Sequence, residues 1–328
     1  MTFAFQGVAK RIGLGQLVYR VWYRPRQWCA WGHAYGWRLA WRAATGGYTM
    51  AAAVRRLPEL PAVTARLDIP VYFLTGRRFW HQTAFCVHSF LRYSCARMPL
   101  RFISDGTLDT TISERLTTLF PDAQTLGHHE LDERTAAALP PSRYPTLHAH
   151  RRRFVLLRKL IDTLAGEHGY RLFLDSDMLF WRRPDELLSR AGRSEPLYMA
   201  DLGEGGYTLP PAVLKQRLGV EPAPAVNTGL VGAHADNVDW DLLERACALL
   251  LAEGQDQRLL EQTLWAILLA QQNARALPAS DYRVVIDPLA CRAALAEGRP
   301  VLLHYAWHAR LFYAADEWRR YLLETVTR

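Results

Sequence analysis

The sequence contains no uncharged apolar stretch of about 18 residues or more, the length that a membrane-spanning helix needs. The apolar stretches within residues 1–15 are short and are interrupted by Gln6, Lys10 and Arg11. They fall short of the hydrophobic core of a secretory signal. We therefore expect neither a spanning helix nor a secretory signal.

Cysteine is scarce, and its spacing gives no pattern. Cys29, Cys86, Cys95, Cys247 and Cys291 are odd in number and widely spaced, and none belongs to a C-x-x-C pair. This spacing does not support a zinc or redox site. The expectation is a reducing compartment and a cytoplasmic protein.

Acidic residues are nearly absent from residues 1–60, which hold nine Lys or Arg but only one acid, Glu59. Because the whole chain has 40 basic and 32 acidic residues, the remainder is formally neutral. The positive excess therefore belongs to one segment. A nucleic-acid-binding function of the whole protein loses its main support, and we expect no nucleic-acid partner.

Residues 1–66 are also rich in Trp and Tyr, and Trp37 and Trp41 recur at the i, i+4 spacing of a helix. Arginine interleaved with such aromatics suits the surface of an anionic membrane, here the inner face. The alternative is an extension packed on the rest of the chain. We divide the chain into this basic aromatic extension, with a Pro-containing linker from Arg55 to Pro70, and one domain over residues 67–328.

The rest of the chain alternates between β-rich runs and helical spacing, which predicts an α/β fold with a mainly parallel sheet. Strands are predicted at Val71–Leu74, Leu100–Ile103, Ala123–Leu126, Arg171–Leu174, Leu197–Ala200, Val226–Val231 and Val301–Tyr305. Helices are predicted after Trp80, at Ile112–Phe120, Arg152–Ala165, Asp239–Ala252 and Gln257–Gln271.

The acidic triplet Asp175-Ser176-Asp177 directly follows the predicted strand Arg171–Leu174. Ligands of open α/β sheets bind beyond the carboxyl ends of strands. Two carboxylates in such a turn can hold one Mg²⁺ or Mn²⁺, which could offset charge on a departing nucleoside diphosphate. Turn residues or a helix cap would explain the same two aspartates.

The ordered motifs resemble the GT-A glycosyltransferases, and most closely glycosyltransferase family 8 and its relatives, over roughly residues 70–310. Residues 171–179 are similar to the family's strand and Asp-x-Asp motif, and Val226-Asn227-Thr228-Gly229-Leu230 to its Asn-x-Gly strand. The resemblance implies a mixed, mainly parallel twisted sheet flanked by helices. It also implies a hexosyltransferase-type enzyme that uses Mn²⁺ or Mg²⁺ and a nucleoside-diphosphate sugar, expected to be uridine-linked, with retention of configuration.

The same resemblance assigns roles to residues of this chain. Asp175, Asp177 and His304 would bind the metal. Gln262 would lie near the anomeric centre and Glu261 near donor hydroxyls. Donor contacts would come from Arg158 or Lys159, Asn227, Gly229 and Arg310, while Thr75, Gly76 and Asp105 follow strands where such folds contact the ribose and base.

Each assignment has a plainer alternative. His304 could be a core histidine, Asn227 and Gly229 could shape a bend or bulge, and Arg158 and Lys159 could belong to a solvated basic face. Asp201 and Glu204 could approach the acceptor, or supply a base if configuration is inverted.

The sequence also departs from the family pattern. Trp307 stands where the motif has glycine, no Pro-Trp follows Arg310, and Glu261-Gln262 replaces Asp-Gln. Two other functions remain open: a membrane-surface or partner-binding protein on a degenerate transferase scaffold, and a haloacid-dehalogenase-type phosphatase with a nucleophilic aspartate. The acceptor is unknown.

Overall fold

A seven-stranded mixed sheet forms the centre of the chain in the computed structural model, which describes residues 22, 24–203, 206–254 and 257–326. The strands are β1 (Ala65–Arg66), β2 (Val71–Thr75), β3 (Ala96–Arg97), β4 (Leu100–Ser104), β5 (Ala123–Leu126), β6 (Tyr170–Leu174), β7 (Met178–Phe180), β8 (Leu197–Ala200), β9 (Val226–His234), β10 (Arg275–Ala276), β11 (Tyr282–Val285) and β12 (Leu302–Tyr305).

Helices connect most of these strands. They are α1 (Arg24–Tyr35), α2 (Trp37–Ala53), α3 (Trp80–Ser94), α4 (Thr110–Leu119), α5 (His128–Ala138), α6 (Pro145–Arg153), α7 (Leu157–Leu164), α8 (Asp185–Gly192), α9 (Pro211–Leu218), α10 (Trp240–Glu253), α11 (Leu260–Gln271), α12 (Pro288–Ala296), α13 (Ala309–Phe312) and α14 (Trp318–Val326), with a π-helical turn over Tyr313–Glu317. None of the described helices combines the length and apolarity needed to cross a membrane.

The central sheet has the strand order β10-β8-β9-β6-β2-β4-β5. Neighbouring strands pair in parallel except on the two sides of β9, which is antiparallel to both β6 and β8. The predicted α/β fold with a mixed, mainly parallel sheet flanked by helices is confirmed. Because β9 runs opposite to β6 and β8, it starts at the edge of the sheet where those two strands end.

Both faces of the sheet are covered, as is usual for parallel sheets. Side chains of one strand alternate between the faces, so Val71 and Phe73 of β2 join one apolar cluster and Tyr72 joins the other. The first cluster also takes in α3, and the second takes in α7, α10 and α11. This double covering explains why the strands read as nearly continuous apolar runs.

A second, three-stranded sheet has the order β11-β12-β7. Strand β7 follows the acidic triplet at once and runs antiparallel to β12, with His304 opposite Met178. This pairing brings two segments that are far apart in sequence to the same place. The sequence analysis predicted β12 but neither β7 nor β11.

Helix α2 lies against the π-helical turn. Its buried Gly46 faces the backbone carbonyl of Ala314, where a side chain would have no room, and Arg42 forms an ion pair with Asp316 at 2.7 Å. Its outer face exposes Trp37 (48%), Trp41 (60%) and Tyr48 (84%). This part of the extension therefore both packs on the chain and presents aromatics outward; predictions for residues 1–21 and Tyr23 fall outside the described residues.

The helix predicted at Arg152–Ala165 is wrong as a single element. The chain forms α6 and α7 instead, and Phe154 between them has an extended backbone (φ −112°, ψ 100°). The ring of Phe154 stacks on His150, and Arg151 pairs with Asp162 across the break. The Arg151–Asp162 ion pair joins the two helices, and it requires the break because residues eleven apart in one continuous helix would lie about 16 Å apart along its axis.

Candidate active site

Three neighbouring parallel strands end at one edge of the central sheet. β4, β2 and β6 are adjacent, and Asp105, Gly76 and Asp175 follow their last residues. The Asp105 carboxylate lies over Gly76 so closely that a Cβ there would overlap it, and the amide N–H of Asp105 donates to the carbonyl of Thr75 at 2.9 Å. A side chain at position 76 would have to displace the Asp105 carboxylate, so glycine leaves room for it here.

Asp175, Asp177 and His304 come together at this edge. One ligand atom from each lies within 4.8 Å of the others. His304 Nε2 is 3.3 Å from Asp177 Oδ1 and 3.8 Å from Asp175 Oδ2. Two ligands of one Mg²⁺, each at about 2.1 Å, lie at most about 4.2 Å apart, so both distances fit a shared ion.

Two strand pairings assemble this cluster. His304 is held opposite Met178, the residue after Asp177, and the amide of Tyr305 donates to the carbonyl of Asp177 at 2.9 Å. On the other side, the amide of Asp175 donates to the carbonyl of Gly229 at 2.7 Å. Backbone hydrogen bonds therefore fix the positions of all three candidate ligands.

Asn227 determines the tautomer of His304. Its Oδ1 accepts from the amide of Gly229 at 3.0 Å, which identifies that atom as oxygen, and lies 2.9 Å from His304 Nδ1. Nδ1 must therefore carry the hydrogen. His304 Nε2 is buried and has no hydrogen-bond partner in the described part of the chain, and it faces two carboxylates. A bound cation would satisfy all three groups, so this donor set fits a divalent metal.

Gly229 makes room for the histidine ring. A Cβ at this position would lie 2.5 Å from His304 Nδ1 and 2.9 Å from Asn227 Oδ1. Gly229 is also inside buried strand β9. Gly229 thus makes room for the candidate metal ligand, and it also lies in an irregular part of β9, where the register with β8 shifts between Val231 and Asn227.

Arg310 binds the second aspartate. Its Nε donates to Asp177 Oδ2 at 2.6 Å, and 61% of its side chain is exposed at the mouth of the site. Burial alone would raise the pKa of Asp177, but the nearby Arg310 and His304 outweigh it and hold that pKa below its usual value. Asp177 is therefore ionised and able to act as a ligand.

Lys159 binds the first aspartate. Its Nζ lies 2.9 Å from Asp175 Oδ1 and 3.3 Å from Thr228 Oγ1. The Thr228 hydroxyl donates to Glu261 Oε2 at 3.1 Å. Burial lowers the pKa of Lys159, but Asp175 and Glu261 reverse this and raise it. Lys159 is not on a solvated face: it is a buried cation joined to the acidic triplet.

Glu261 and Gln262 lie in the first turn of helix α11, beside this group. Burial raises the pKa of Glu261 to about 7, with Lys159 opposing that rise. Gln262 Nε2 donates to Asp201 Oδ2 at 3.3 Å and to the carbonyl of Gly206 at 3.0 Å. Asp201 also accepts from Asn227 Nδ2 at 3.3 Å, which links Gln262 to the histidine network. Glu204 lies outside the described residues.

The side chains of Arg158 and Thr75 have their hydrogen bonds with residues other than the candidate metal ligands. Arg158 Nη1 contacts the carbonyl of Ser104 at 3.3 Å and His128 Nδ1 at 3.1 Å, at the end of β4. The Thr75 hydroxyl is buried and bonds to Thr83 at 2.7 Å. Arg158 therefore belongs to the Asp105 side of the site, and Thr75 contributes its position rather than its hydroxyl.

A cavity of about 170 Å³ connects the Asp105 side of the site with the side that holds the acidic triplet. It is bounded by Asp105 at one end and by Asp175, Asp177 and Arg310 at the other. We call it the donor cavity. Leu156, from the turn between α6 and α7, also borders it.

Two features were missed from the sequence. Thr228 joins Lys159 to Glu261, and its place inside the Asn-x-Gly motif is the signal that could have revealed it. Ser176 bonds to Thr83 at 2.8 Å and donates to the carbonyl of Leu74, so the middle residue of the triplet anchors the triplet to β2.

Trp307, where the family motif has glycine, has φ of +48°, the left-handed conformation that glycine favours.

No protein-family profile matches this sequence, and a comparison with curated protein sequences finds no match. Among solved structures, the chain is similar to the galactosyltransferase LgtC in complex with donor and acceptor sugar analogs: 14% identity, a TM-score of 0.47, and coverage of 77% of this chain and 99% of LgtC. It is similar to the apo form of the glycosyltransferase GlyE of Streptococcus pneumoniae TIGR4, with 13% identity, a TM-score of 0.46, and coverage of 79% and 63%.

The chain is also similar to the apo structure of the bifunctional glycosyltransferase WbbM, with 14% identity, a TM-score of 0.45, and coverage of 78% of this chain and 51% of WbbM. It thus spans about half the length of WbbM. These three solved structures are glycosyltransferases, the class that the motifs of the sequence resemble.

Proposed function

We propose that this chain is a metal-dependent glycosyltransferase that takes a sugar from a nucleoside-diphosphate donor, with a uridine-linked donor and retention of configuration as the specific expectation. The observation that carries the proposal is the buried Nε2 of His304, which faces Asp175 and Asp177 and has no hydrogen-bond partner among the described residues. This ligand set lies at the end of a cavity that reaches Asp105 at the end of β4. A nucleoside-diphosphate donor needs two adjoining binding places, one for its metal-bound diphosphate and one for its nucleoside.

Asp175, Asp177 and His304 would hold Mn²⁺ or Mg²⁺. When bound, the ion supplies positive charge that stabilises the departing diphosphate. Arg310, exposed at the mouth, would turn part of its guanidinium to the diphosphate, because Arg binds phosphate oxygens in a bidentate manner. Lys159 keeps Asp175 in place through the ion pair at 2.9 Å.

Asp105 and Arg158 would contact the nucleoside, since both lie at the end of β4, and Gly76 leaves room for the Asp105 carboxylate. The amide of Gln262 would lie on the sugar side with Glu261, whose buried carboxylate is joined to Lys159 and Thr228. Asn227 and Gly229 hold the ring of His304. Retention requires no dedicated base opposite the leaving group, so Asp201 would orient Gln262 and Asn227.

We expect uridine diphosphate and Mn²⁺ together to raise the melting temperature of the full chain. A ligand that binds only the folded state at 100 times its Kd adds about 2.7 kcal/mol to the free energy of unfolding. Differential scanning fluorimetry with each component alone, with both, and with both plus a chelator measures this effect. A shift that survives chelation, or no shift with any nucleoside diphosphate and Mn²⁺, would contradict the proposal.

We also propose that α2 attaches the protein to the surface of an anionic membrane. Its outer face exposes Trp37, Trp41 and Tyr48, and the sequence of α1 and α2 contains no Asp or Glu. Trp and Tyr favour the polar boundary of a bilayer, and Arg favours anionic head groups.

In vesicle co-sedimentation, replacing the exposed Arg38 with Gln should weaken binding to vesicles of equal parts phosphatidylglycerol and phosphatidylcholine by about fivefold, since each basic residue near such a surface adds about 1 kcal/mol. Trp41→Ser should weaken binding to both anionic and neutral vesicles. Leu289→Ser, at an exposed position on α12, is the matched control and should bind as the unaltered chain does. Equal binding by all four proteins would exclude α2 as the attachment surface.

A further inference from the structure

A second cavity, of about 560 Å³, lies between the two N-terminal helices and α13. Its walls include Trp28 and Trp31 of α1, Ala43 and Ala44 of α2, and Leu311 of α13. Its volume is within the range of about 300–1,000 Å³ that is usual for small-molecule sites. We call it the N-terminal cavity.

Two guanidinium groups border this otherwise mainly apolar space. They belong to Arg78 and Arg310, and the described residues around the cavity include no carboxylate. Guanidinium groups bind phosphate oxygens with two parallel hydrogen bonds. The cavity therefore combines apolar walls with a positive border, in which the Arg310 guanidinium is already paired with Asp177 at 2.6 Å and the Arg78 guanidinium lies over the ring of Phe79.

The N-terminal cavity and the donor cavity are neighbours. Arg310 borders both of them. Arg78 borders the first, and its guanidinium lies 5.2 Å from the ring centroid of Phe79, which borders the second. A molecule in the N-terminal cavity would therefore end close to the place proposed for the donor diphosphate and sugar.

The apolar walls and the guanidinium border of the N-terminal cavity together favour an amphiphilic ligand. A free neutral sugar could stack its C–H face on a Trp ring, but it would leave Arg78 without an anion, as a plain hydrocarbon also would. An apolar chain joined to a phosphate matches both features, through burial of the chain and charge-assisted hydrogen bonds to the phosphate.

We propose that the N-terminal cavity binds the acceptor, and that the acceptor is an apolar chain joined to a phosphate or diphosphate group and carrying a hydroxyl. This inference rests on the proposed function. In the transfer, the acceptor hydroxyl oxygen forms a bond to the anomeric carbon of the sugar. The bond from that carbon to the diphosphate breaks, and the hydroxyl proton passes to the departing diphosphate.

Isothermal titration of the full chain with farnesyl phosphate, farnesol and inorganic phosphate tests the site without a donor. Farnesyl phosphate should bind at least about tenfold more tightly than either of its parts, a difference of about 1.4 kcal/mol. Equal affinity for farnesol and farnesyl phosphate, or no binding of farnesyl phosphate, would overturn the proposal.

Two variants locate the binding site. Ala44→Phe places a ring in the cavity from a surface position and should weaken farnesyl phosphate binding by at least about tenfold. Arg78→Gln should bring the affinity for farnesyl phosphate close to that for farnesol and leave farnesol binding unchanged. Ala34→Phe is the matched control, at an exposed position of α1 away from the cavity walls, and should bind like the unaltered chain. Unchanged farnesyl phosphate binding in Ala44→Phe and Arg78→Gln would overturn the assignment.

The two proposals fail in different ways. If uridine diphosphate and Mn²⁺ do not stabilise the chain but farnesyl phosphate binds and Ala44→Phe weakens it, the amphiphile site stands and the transferase function is wrong. If the nucleotide and metal stabilise the chain but farnesyl phosphate does not bind, the acceptor class is wrong.

Discussion

Replacing Asp177 with Asn should lower Mn²⁺-dependent hydrolysis of a uridine-diphosphate sugar by about 10²- to 10³-fold, the usual loss when one preorganised charge-stabilising group is removed. Asn has nearly the same shape, so the strand pairing of β7 with β12 would remain. The change removes a negative charge that faces His304 Nε2 at 3.3 Å and binds Arg310 at 2.6 Å. Nucleotide release with Mn²⁺, Mg²⁺ or chelator present measures the effect.

The matched control is Asp281→Asn. Asp281 is also an aspartate in an ion pair, at 2.5 Å from Arg182, but it lies on the surface away from the donor cavity. Its variant should retain turnover within about twofold, because exposed ion pairs contribute little. Mn²⁺ binding followed by electron paramagnetic resonance should weaken in Asp177→Asn alone. Undiminished turnover in Asp177→Asn, or the same loss in both variants, would remove Asp177 from the metal site.

Replacing Asp162 with Ala should reduce the free energy of unfolding by about 3–5 kcal/mol, the usual cost of removing one partner of a buried ion pair. Asp162 and Arg151 have side-chain exposures of 0% and 2%, and they are joined at 2.5 Å. Without Asp162, the Arg151 guanidinium would keep only Asp132, which is partly exposed, as an ion-pair partner among the described residues. Urea denaturation at neutral pH gives the free energy.

The double variant Arg151→Met with Asp162→Leu separates the charge effect from packing. Because it leaves no unpaired buried charge, it should be more stable than Asp162→Ala. Glu253→Ala, which breaks the exposed pair with Arg217, should cost no more than about 1 kcal/mol. If Asp162→Ala costs as little as Glu253→Ala, the pair does not stabilise the turn between α6 and α7 that positions Arg158 and Lys159.

The mainly parallel sheet was predictable because buried strands carry a local signal, namely a short apolar run followed by turn residues. The same signal placed Asp105, Gly76 and Asp175 at strand ends, and the structure brings them to one edge. Asp175, Asp177 and His304 were predicted as a group, through a family resemblance, and they do lie together. Their roles stay proposals.

Other features depend on contacts between distant residues and leave no local signal. Strand β7 has only three residues and exists because β12 pairs with it. The break between α6 and α7 depends on Arg151 meeting Asp162, since the apolar spacing through this region favours one helix. The sequence around Thr228 is that of an ordinary strand, and its role depends on Lys159 and Glu261, which are distant in sequence and both contact its hydroxyl.

The close fit of Gly46 against Ala314 determines which other parts of the protein a truncation of the N-terminal segment would disturb. Ala314 is four residues after Arg310, about one helical turn. A chain shortened to begin at Leu67 would lose the helix that covers this turn, so it would disturb the cation at the mouth of the donor cavity as well as the exposed aromatics. A loss of turnover after such a truncation would therefore say nothing about membranes, whereas substitutions at Arg38 and Trp41 change the outer surface and leave the support of Arg310 in place.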